Sequence, residues 1–163
     1  MKMSEDEYRK AIETLRGAPA LVDEATRGLA PERARGKPPG GAFSILENVA
    51  HLHDIEREGY LVRVRRLIEE DHPSLEDLDG ERLAIERSYN RRDLRSEVRA
   101  FATARLETLE LLQSATVSTL GRLGELEQVG TISLARLVGM MIEHDRGHLE
   151  EIERLKVRTE EPG

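Results

Sequence analysis

Two histidines, His144 and His148, stand four residues apart in the stretch MIEHDRGHLEE. On a helix this spacing projects both imidazoles from one side, close enough to share a cation. The spacing also occurs on wet helix surfaces, so the neighbours have to decide. Leu134, Leu137, Val138, Met141, Leu149, Ile152 and Leu155 recur with helical period and define an apolar stripe. His148 falls inside that stripe, His144 on its edge and Asp145 near its middle. A solvated pair belongs opposite the leucines, and Asp145 is too short to snorkel, so the stretch reads as a candidate metal site with an interior acid.

A third ligand has to come from another helix, and ENVAHLHDIERE supplies His51 and His53. The main apolar stripe there (Ile45, Val49, Leu52, Val64, Leu67) puts His53 near its flank. His51 instead shares a second side with Ile55, Gly59 and Val62. A bundle helix touches two neighbours, so periodicity leaves the choice open. His72, directly before Pro73, is expected on a solvated loop. Other charges lie where apolar residues belong: Glu56 and Arg63 on the second helix, and Arg105 on the third with Leu94, Val98, Phe101 and Leu112. A buried charge is costly unless paired, so these residues and Asp145 are expected to form ion pairs or line a polar cavity; the arginines have the alternative of snorkelling outward.

Four long helical patterns must position these groups, at about 4–29, 44–70, 93–112 and 133–156. Ser4…Glu7 and Ser44…Glu47 have capping-box spacing. Gly17 and Pro19 predict a kink or break in the first helix. PERARGKPPGG is a loop, HPSLEDLDGERLAIERSYN a long connection with a helical turn of its own, and SATVSTLGRLGELEQVGT a turn segment. The tail TEEPG is expected to fray. No strand alternation competes, so the fold class expected for residues 1–163 is all-α: one domain, a four-helix bundle with sites built from inward-facing side chains.

Composition supports this and removes several functions. Among 163 residues there are no Trp, two Phe and three Tyr, a mix that suits exposed helices better than a sandwich or barrel. The formal net charge of −7 argues against general affinity for nucleic acid or an anionic membrane. The absence of cysteine excludes a disulfide framework, a thiolate site and a cysteine nucleophile within this chain. The opening MKMSEDEYRK does not read as a signal peptide, and no uncharged apolar run approaches the roughly 18 residues of a membrane span. A cytoplasmic protein is the expectation.

RGAPALVDEATRGL, PPGGAFSILENVAHLHDIE, EDHPSLEDLDGERLA, FATARLETLELL and GELEQVGTISLARLVGMMIEHDRGHLEEI together resemble the DinB/YfiT-like (bacillithiol-transferase-like) superfamily over most of the chain. The resemblance implies a bundle holding a divalent metal on three histidines, one from the second helix and two from the last. The early ligand directly precedes a Leu-x-Asp triplet, here Leu52-His53-Asp54, which points to His51 together with His144 and His148. Phe43 stands where many members carry Trp. Three neutral imidazoles suit zinc or nickel and leave positions open for water or substrate. Asp145, Asp54, His53, Arg63 and Arg105 are the candidates for residues behind the ligands or in the pocket. Only neutral imidazole ligates, so acidification through the histidine range is expected to release the ion.

The function implied is a metal-dependent enzyme of thiol S-transferase or hydrolase type, activating a low-molecular-weight thiol or water toward a small-molecule substrate. The alternatives are a non-catalytic, stress-related metal-binding protein and an interaction module. A homodimer is expected in either case.

Overall fold

A computed structural model describes residues 2–160 of the chain. Helix α1 (Glu5–Thr26) is opened by Ser4 and Glu7 in a reciprocal capping box. It runs unbroken through Gly17 and Pro19, where a kink or break was expected. Proline removes the N–H that would pair with the carbonyl four residues back, here Leu15. That carbonyl accepts instead from Arg105 Nη1 at 2.9 Å, so tertiary structure supplies the missing donor. A short helix α2 (Pro31–Arg35) follows.

Ser44 and Glu47 form the second capping box, starting α3 (Ile45–Ile55). A π-helical turn at Glu56–Tyr60 joins it to α4 (Leu61–Glu69), making one continuous helical run. The long connection contains α5 (Gly80–Glu86), capped by Asp79, and a 3₁₀ turn at Tyr89–Arg91. Helix α6 (Leu94–Gln113), a single turn α7 (Val117–Leu120) and α8 (Leu134–Glu160) complete the helices. Helix α8 carries the first residues of the expected fraying tail through position 160; residues 161–163 lie outside those described.

One feature departs from the purely helical expectation. Ser74–Leu75 (β1) pairs in parallel with Leu123–Leu126 (β2), which pairs antiparallel with Gly130–Ser133 (β3). The segment read as turns is therefore a short helix and a hairpin, with Gln128 and Gly130 at positive φ in its bend. Strands this short carry too little alternation to register as a pattern.

The four long elements form the bundle: α3 packs on α6 and α8, and α1 on α6 and α8. Its apolar interior falls into two clusters. One gathers Leu15, Ile55, Tyr60, Val64, Leu109, Leu112, Leu137 and Met141. The other gathers Val22, Val49, Leu52, Val98, Phe101, Ile152 and Leu155. Reading along the helices, Pro19, Arg105 and the stretch His144–His148 lie between the two, and Glu56 follows Ile55 at the near edge of the first. A polar layer thus crosses the middle of the bundle. Among the described residues, no helix is long and apolar enough to cross a membrane.

Candidate metal centre

Helix α8 presents His144 and His148 one turn apart, and α3 brings His51 against both. The ring centroids are 4.5 Å apart for His144–His148, 4.6 Å for His51–His148 and 5.0 Å for His51–His144. His51 Nε2 lies 3.0 Å from His144 Nε2. Two ligands of a tetrahedral ion with bonds of about 2.0–2.1 Å stand roughly 3.3 Å apart, so the observed spacing needs little adjustment to admit one. Among the described residues, these three histidines are the group of metal-binding side chains whose ligand atoms converge, all within 4.8 Å of one another.

Asn48 sets the orientation of His148. Its Nδ2 donates to the Ser44 carbonyl at 2.9 Å, which turns Oδ1 toward His148 Nδ1 at 2.7 Å. An oxygen there can only accept, so Nδ1 carries the proton and Nε2 keeps its lone pair for a ligand. Phe43 packs 5.6 Å from the His51 ring and Tyr60 edge-on 5.5 Å from His144. Burial is the main reason all three histidines are poor bases: His51 is pushed down to about 3, His144 to about 2 and His148 to about 4. Neutral imidazoles are therefore favoured well below the ordinary histidine range.

His51 and His148 line a cleft of about 890 Å³. One wall is the loop Gly40–Phe43 and the start of α3; the other is Leu78–Glu81 with Ala84 and Ile85; α8 contributes Gly147 and Glu151. His144 lies behind the other two, against Tyr60. An ion held here would be approached from the His51–His148 side.

The remaining sequence candidates are not in that cleft. Asp145 and Arg105 belong to a buried ion cluster: Arg105 Nη1 and Nη2 reach Asp145 at 2.7 and 2.9 Å, and Nη2 reaches Glu56 at 2.8 Å. Burial raises Asp145 above the usual carboxylate range, against the pull of Arg105. Asp54 accepts from Arg87, Tyr89 and Arg92 at 2.8, 2.8 and 3.0 Å. Those hydrogen bonds outweigh its burial and hold its carboxyl below the usual range. His53 faces away from the ligands, its Nδ1 2.6 Å from Glu97. Arg63 donates from Nε and Nη2 to the Glu76 carbonyl and lies over the Tyr60 ring. His72 is on the surface, 3.3 Å from Glu125. Sequence reasoning missed Asn48, Gly80, Tyr60 and Tyr89. Asn48 had a signal: Ser44, Asn48, His51 and Ile55 recur at helical spacing, which puts a polar amide on the His51 side.

The DinB superfamily model matches residues 14–152. The chain belongs to the DinB superfamily. A solved structure aligns over 96% of this chain and 89% of its own, with a TM-score of 0.89 at 18% identity. It is YfiT from Bacillus subtilis, described as "a probable metal-dependent hydrolase with an unusual four-helix bundle topology". At that identity the likeness establishes the DinB-type bundle and nothing finer. No curated protein matches the chain.

Proposed function

We propose that this DinB-superfamily chain is a metal-dependent enzyme that holds one divalent ion, zinc or nickel, on His51, His144 and His148. The observation that carries the reading is three converging neutral imidazoles, two of which line an open cleft. The donor set fits a borderline divalent ion, and three protein ligands leave room for a reactant. When bound, such an ion supplies Lewis acidity and lowers the pKa of a water or thiol toward ~7. The chain does the rest. Asn48 holds the His148 tautomer, burial keeps the ligands unprotonated, and the cleft walls orient a small molecule beside the histidines.

The description of YfiT favours hydrolysis as the first reaction to test. Transfer of a thiol is the second, and because the chain has no cysteine its sulfur would arrive on a low-molecular-weight cosubstrate. A cytoplasmic homodimer belongs to the same proposal. The test is to screen ester hydrolysis, amide hydrolysis and thiol transfer with the zinc- or nickel-loaded protein, the stripped protein and His148→Ala. Turnover confined to the loaded wild type supports the reading. Equal turnover in all three, or stoichiometric metal without turnover on any substrate, contradicts it.

A further inference from the structure

Residues 76–92 cross the ligand side of α3 and are tied down at both ends. At the start, Arg63 Nε and Nη2 hold the Glu76 carbonyl at 3.1 and 2.9 Å. At the end, three donors converge on one carboxylate: Tyr89 Oη and Arg87 Nη1 reach Asp54 Oδ2 at 2.8 Å each, and Arg92 Nη1 reaches Oδ1 at 3.0 Å. Tyr89 is fully buried and, with Ala84, packs on Ala50, the residue before His51. The Arg92 guanidinium covers the Tyr89 ring at 4.6 Å. Charge-assisted bonds of this kind are roughly twice as strong as neutral ones, so the far end is the firmer of the two.

Between the anchors the backbone lies directly on His51. A Cβ built at Gly80 would sit 2.5 Å from His51 Cε1 and 2.8 Å from Nδ1, closer than real side chains come. The same stretch supplies one wall of the cleft through Leu78, Glu81, Ala84 and Ile85, and Ile85 leaves 81% of its surface exposed there.

We infer that residues 76–92 form a strap that sets the place of the His51 ring and of the cleft wall. Asp54 and Arg63 are positioning residues acting through this strap, not partners of an ion or a substrate. This explains why an acid follows His51 by three residues without facing it. The zinc part of the test rests on the three-histidine reading; the strap itself does not.

Amide hydrogen exchange on the full metal-free chain decides the matter, comparing wild type with Asp54→Asn, Asp54→Glu and Arg82→Ala. The Arg82 side chain pairs with exposed Glu86 and serves as a control on the outer face. Asp54→Asn should speed exchange of amides in 80–92 at least tenfold while α1 and α6 keep wild-type rates. Asp54→Glu should recover part of the protection, and Arg82→Ala should change little. In parallel, zinc release from the loaded protein to excess chelator should accelerate at least tenfold in Asp54→Asn and Gly80→Ala. Unchanged exchange in the strap overturns the proposal, and so does uniform acceleration across all helices, which would make Asp54 a general stability residue. Wild-type zinc release in both variants removes the strap's control of His51. Should wild type bind no zinc, the metal reading fails and the exchange result alone settles the strap.

Discussion

Two polar clusters share the middle layer of the bundle and differ in how their groups are partnered. Arg105, Glu56 and Asp145 are 1%, 1% and 6% exposed and pair as ions, with the Leu15 carbonyl freed by Pro19 taking part, while Glu56 Oε2 and Arg105 Nε keep no hydrogen-bond partner. His51, His144 and His148 lie beside them, uncharged, with ligand nitrogens turned toward each other and an open cleft above. His144 and Asp145 are adjacent in sequence, yet one belongs to each cluster. Charge neutralised by charge reads as structure. Neutral donors aimed at one point, with few protein partners, read as a site.

The largest effect that would test this contrast is Arg105→Met. It leaves Glu56 and Asp145 buried beside each other without a counter-ion, and we expect a loss of about 3–5 kcal/mol in denaturant unfolding. A loss below about 1 kcal/mol would mean that these ion pairs do not hold the buried carboxylates in place. Next comes Asn48→Ala, which frees the His148 ring to change tautomer. Metal affinity should fall about 10–100-fold with the helical spectrum unchanged; competition against a chelator reads this directly.

Acid should separate the clusters in another way. The three histidines are held below their ordinary value near 6.5. Between that value and the depressed ones, the unfolded chain takes up protons that the native chain does not. Stability of the metal-free protein should therefore decline as pH drops below about 6.5 and continue declining toward 4. His144→Ala should flatten this slope between pH 6.5 and 5, and an identical slope would count against buried neutral histidines. The smallest effect belongs to His53→Ala. Its partner is Glu97, so metal content should match wild type in elemental analysis, while a loss would implicate the wrong histidine.

Much of this was legible in the sequence. The four helices, both capping boxes and the apolar stripe of α8 follow from spacing, and the stripe residues are buried apart from half-buried Leu149. Glu56, Arg105 and Asp145 were visible as charges where apolar residues belong, but which of them pair, and whether Arg105 turns inward, came only from the structure. The choice between His51 and His53 was not legible from periodicity, for a physical reason. The π-helical turn at Glu56–Tyr60 inserts a residue into the helical register. A single wheel drawn through Ile45, Val49, Leu52, Val64 and Leu67 therefore mixes two faces. The family resemblance chose His51, and the geometry places that ring with His144 and His148. Asp54 and His53, near the ligands in sequence, and Arg63, a charge on the apolar stripe, were grouped with the site, but their partners come from the 76–97 stretch, which no local pattern reveals.

Metal content is the most direct measurement of the central claim. Purified, tag-free wild type, equilibrated with zinc or nickel and desalted, should carry about one equivalent by elemental analysis, and His51→Ala, His144→Ala and His148→Ala should each lose it while remaining folded. Wild type that binds no ion, or a His51→Ala variant that retains it, would contradict the three-histidine centre.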